Sequence, residues 1–67
     1  MNAREKMIAE YSAIKMQCLV KIEKEFPNMS QEQMHKIFTM AWDHGHAYGK
    51  QEVEMWLDEL LDLFRGN

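Results

Sequence analysis

Gly45 and Gly49 sit inside an apolar pattern that otherwise reads as one long helix. Glycine in a helix interior costs about 1 kcal/mol relative to alanine, so a pair spaced one helical turn apart points to a sharp bend, a close helix crossing or a docked ligand. Which of these the pair serves decides the architecture.

The chain has 67 residues, enough for one domain. Below roughly 70–80 residues a single core rarely supplies more than about 3–5 kcal/mol, so disulfide, metal or self-association is expected to help. The lone Cys18 has no partner for an intrachain disulfide, and its place on an apolar helical face reads as a small buried hydrophobe in a reducing compartment. Apolar residues make up 46% of the sequence, too many for a disordered chain. No run approaches the roughly 18 consecutive apolar residues of a membrane span. No apolar h-region follows Met1 to Lys6, so the cytoplasm is the expected location.

The net charge of −3 is unevenly spread, with Glu52, Glu54, Asp58, Glu59 and Asp62 crowded toward the C-terminus. The basic residues Arg4, Lys6, Lys15, Lys21, Lys24 and Lys36 are interleaved with glutamates and make no basic stripe, which disfavours nucleic acid as a partner.

Phe26-Pro27-Asn28-Met29-Ser30 is the clearest punctuation in the chain. Ser30 reads as an N-cap, Gln33 completes a capping box, and Met29 and Met34 occupy the two positions of a hydrophobic staple. Before this start, Ala3 to about Glu25 carries Met7, Tyr11, Ile14, Cys18 and Ile22 at helical spacing. After it, apolar residues keep the three-four rhythm from Met34 to Phe64, with a phase slip of about 60° near Glu52. The pattern predicts an all-α antiparallel hairpin of helices at about 3–25 and 31–64, the second continuous or bent at 45–49, with a break and a closed three-helix bundle as the alternative. Gly66 ends the last helix, beside Arg65 at its negative dipole end.

At 1.5 Å per residue the two helices measure about 35 and 50 Å, so an unbroken second helix outruns the first by two turns or more. Met55, Trp56, Leu57, Leu60, Leu61, Leu63 and Phe64 lie on that overhang. On the first helix Ala9, Ala13, Met16 and Val20 add a second apolar stripe opposite the core stripe. Both features predict a homodimer or higher oligomer in which a second copy, or a bound target, covers these residues.

The glycines with Ala41 form a small-residue row flanked by aromatics. A closely approaching helix or the ring of Tyr11 would fill such a notch; a ligand pocket formed by Tyr11, Trp42, Gly45, His46, Gly49 and Glu52 is the functional alternative. No metal site is expected, because among Asp43, His44 and His46 only the first and last have the spacing for one helix face, and H-E-x-x-H is absent. No nucleophile with a base and an orienting group is visible, so the chain reads as non-enzymatic and without a cofactor.

The segment Ala41-Trp42-x-x-Gly45-His46-x-x-Gly49-x-x-Glu52-Val53 resembles a W-x-x-G-H-x-x-G-x-x-E-V-like pattern of very small accessory proteins of tailed bacteriophages. The resemblance covers thirteen residues and implies a virus-encoded protein of the host-takeover or anti-defence kind, acting by occlusion rather than chemistry. It assigns no site residue. The expected function is therefore a homo-oligomeric helical bundle that binds and inhibits a host protein. The alternatives are a protein that sequesters a nucleotide-like signal and a structural or regulatory viral subunit.

Overall fold

The computed structural model describes residues 2–66, and its regular structure is helical: α1 (Ala3–Glu25), α2 (Gln31–Gly45), a single 3₁₀ turn (His46–Tyr48) and α3 (Lys50–Arg65). Local chemistry sets the helix ends. Asn2 caps α1 by accepting from the Glu5 N–H at 2.9 Å, and the Ser30 hydroxyl accepts from the Gln33 N–H at 3.2 Å to start α2. Gly66, in the left-handed region at φ 83°, closes α3 by donating to the carbonyls of Asp62 and Leu63.

The expectation of a continuous or merely bent helix from 31 to 64 is corrected here. The chain reverses at Gly49, whose φ of 112° and ψ of 177° belong to a region populated essentially by glycine alone. α3 then returns along α2. Gly45 permits that return: a Cβ built on it would lie 2.7 Å from the backbone carbon of Glu52 and 2.7 Å from the nitrogen of Val53. One glycine makes the turn and the other lets two backbones meet.

With the rod folded over, the C-terminal overhang does not exist, and α1 is the longest of the three helices. At 23 residues, α1 is about 35 Å long against about 24 Å for the 16 residues of α3. Residues 2–10 at its start are all exposed, with Met7 and Glu10 beside the turn at Gly49.

The core lies where the three helices converge: Cys18 and Ile22 of α1, Met34, Ile37, Phe38 and Ala41 of α2, and Val53, Leu57 and Leu61 of α3. Burying each large side chain contributes about 1.5–3 kcal/mol, so a core of this size holds the domain with little to spare. At the loop end Phe26 meets Phe64 edge to face with ring centres 6.3 Å apart. There α3 is tied to α1 by the ion pairs Lys21–Asp58 and Glu25–Arg65.

Candidate functional site

The residues expected to wall a ligand notch do gather at the turn end, but the chain itself fills the space. The open face of Gly45 is occupied by the backbone of Glu52 and Val53, which leaves Gly45 buried and Glu52 half-buried. Tyr11 packs edge-on against Trp42 with ring centres 4.7 Å apart, and against Phe38 at 5.7 Å. Trp42 stacks on His46 at 5.3 Å with the planes only 9° apart, while His44 lies 4.6 Å from Trp56.

Both histidines use Nδ1 locally. His44 donates to the Met40 carbonyl and His46 to the Trp42 carbonyl, each at 2.8 Å, so both rings are held against their own helix. Among the described residues, no group of three or more His, Cys, Asp or Glu side chains is placed to hold a metal ion. Beside this cluster remains a shallow cleft of about 190 Å³, walled by Trp42, His46, Gly49 and Lys50 together with Met7 and Glu10 of α1.

The residues expected to meet a partner divide into three groups. Leu57 and Leu61 are wholly buried and belong to the core, a correction that follows directly from the return of α3. Trp56 and Leu60 are half-buried against it. Met55 and Phe64 are exposed, as is the whole outer stripe of α1: Ala9, Ala13, Met16 and Val20. That stripe lies opposite the face carrying Cys18 and Ile22, so α1 presents an exposed apolar side.

A further surface emerges between α2 and α3 near the loop end: a groove of about 380 Å³ lined by Ile37, Met40, Leu60, Leu63 and Phe64, with Gln33 and Lys36 at its rim. Met40 is 48% and Leu63 71% exposed, large values for such apolar side chains. The sequence reading missed Met40, although Gln33, Ile37, Met40 and His44 are spaced four, three and four residues apart and mark one ridge of α2.

Electrostatics near the core are simple. Burial first, and then the charge of Glu54, pushes the Cys18 thiol up to about 11 from 9.0, keeping it neutral and poorly nucleophilic. The Arg65 guanidinium is held charged above its ordinary range, chiefly by its hydrogen bond to Glu25.

A family model spans residues 1–65, and therefore all three helices together with Gly45 and Gly49. The chain belongs to a family of unknown function, DUF8546. Among curated proteins and solved structures, none matches the chain. For this DUF8546 member, the apolar groove and the outer face of α1 are the candidate surfaces. None of its helices, among the described residues, is long and apolar enough to cross a membrane.

Proposed function

We propose that this DUF8546 protein is a non-enzymatic interaction module, phage-encoded as its Ala41 to Val53 segment suggests, that self-associates and occludes a host protein in the cytoplasm. One observation carries the reading: the groove between α2 and α3, whose exposed Met40, Leu63 and Phe64 give a small domain an apolar cleft of about 380 Å³. A cleft between two helices accepts an amphipathic helix laid along it.

The test compares wild type with Met40→Asp and Leu63→Asp for the host protein that co-purifies with it. Both sites are exposed, so helicity is expected to hold while binding falls at least about tenfold, the equivalent of 1.4 kcal/mol. Equal capture by all three proteins refutes the groove as the binding face.

The cleft at Trp42, His46 and Lys50 supports a second reading, sequestration of a nucleotide-like ligand, because it brings two stacked rings next to a cation. A ligand at 100 times its Kd would add about 2.7 kcal/mol of stability. A thermal-shift panel of nucleotides with no response removes that reading.

A further inference from the structure

The hinge between α2 and α3 is built so that one residue separates two folds. His46–Tyr48 already continue α2 as a tight helical turn, and α3 begins at Lys50, the residue after Gly49. Between them Gly49, at φ 112°, holds a backbone conformation foreign to a helix. Moving it into the helical region joins α2, the turn and α3 into one helix from Gln31 to Arg65. The apolar stripes on either side differ by only about 60° in phase, which a long helix accommodates.

Straightening also repairs a defect. In the folded-back chain α3 has no side-chain cap, and at its N-terminus only the Val53 N–H reaches back to Gly49, at 3.3 Å. In one continuous helix the N–H groups of Lys50, Gln51 and Glu52 would donate to the carbonyls of His46, Ala47 and Tyr48. The loss is the packing of Val53, Leu57 and Leu61, and a second copy can restore all of it. The cradle of α1 and α2 that receives α3, including the bare face of Gly45, is identical in every copy.

We propose that α3 is exchanged between two copies of this chain through Gly49, giving a dimer in which each chain carries one long helix and each cradle holds its partner's α3. This rests on the self-association part of the proposed function and gives it a physical form. The exposed start of α1 fits the same assembly. Met7 lies on the face of α1 that carries Tyr11 and Cys18, yet it is 69% exposed, and it lines the cleft at Gly49, beside the point where exchange brings in the second copy.

Lys21 and Asp58 provide the readout in the unmodified protein, because they pair α1 with α3. An equal mixture of ¹⁴N- and ¹⁵N-labelled chains is unfolded in urea and refolded together at millimolar concentration. The dimer is isolated and treated with a carbodiimide that joins carboxylate to amine at zero length. Exchange predicts that about half of the Lys21–Asp58 cross-linked peptides carry one light and one heavy partner. A dimer whose cross-links are all of one label has associated side by side, which overturns exchange while leaving self-association intact. A chain that stays monomeric throughout overturns both.

Gly49→Ala sharpens the test, since nothing within 4 Å obstructs the added methyl and only the backbone conformation is penalised. The dimer association constant is expected to rise at least about a hundredfold, because the strain falls only on the folded-back form. An unchanged constant overturns the hinge assignment. Two residues inserted after Gly49 relax the reversal and should return the protein to monomer; a persistent exchanged dimer overturns the assignment equally.

Discussion

Replacing Gly45 with alanine sets two opposing effects against each other, and the structure decides which wins. In an unobstructed helix the change would stabilise by about 1 kcal/mol through helix propensity alone. Here the new methyl would stand 2.7 Å from Glu52 C and Val53 N and 2.9 Å from Glu52 O, all backbone atoms that cannot rotate away. α3 must therefore move off by several tenths of an ångström along the seam that buries Val53 and Leu57. Overpacking of a close-packed contact costs about 1–3 kcal/mol, and rigid backbone on the receiving side places this case near the upper end. The net expectation is a loss of about 2 kcal/mol. For a domain of this size that lowers Tm by about 8–16 °C. Thermal unfolding followed by far-UV circular dichroism at low micromolar concentration measures it. A Tm equal to or above wild type would show that α2 and α3 do not approach at Gly45, and the folded-back architecture would fall with it.

Two further outcomes are expected. Leu57→Ala removes a fully buried side chain and should cost about 2–5 kcal/mol by urea denaturation, whereas Leu63→Ala, 71% exposed, should stay within about 0.5 kcal/mol; comparable losses at both sites would mean that the C-terminal segment is not packed as described. The Cys18 thiol, near 9.0 unfolded and raised to about 11 folded, binds its proton more tightly in the native state, so its contribution is intact below pH 9 and declines as pH rises toward 11. Cys18→Ala should lack that decline, and native wild type should react slowly with iodoacetamide at pH 8; rapid alkylation of the folded chain would contradict the burial.

What could be read from the sequence was what depends on near neighbours. The cap at Ser30, the stop at Gly66 and the core face of α1 through Cys18 and Ile22 all follow from residues within a few positions of one another. The fate of the second half was not legible in the same way. α2 and α3 face one core from two directions, so a folded rod and a straight one carry nearly the same stripe, and the phase slip near Glu52 was the surviving trace of the reversal. The two glycines located the event without giving its angle. Leu57 and Leu61 were consequently assigned to a partner when their cover comes from the same chain, and Met40 was passed over because the ridge it belongs to matters only once α3 lies beside it.

The two ends of α3 are fastened by different means: ion pairs and the Phe26–Phe64 contact near Arg65, and a rigid fit of backbone on backbone near Gly45. Salt or acid slackens the ion pairs of the first and leaves the second untouched. Native fraying should therefore start at the tail and run backward, with amide exchange slowing residue by residue toward Val53. The last helix behaves as a latch whose pin is the glycine and whose free lip answers to the ionic strength around it.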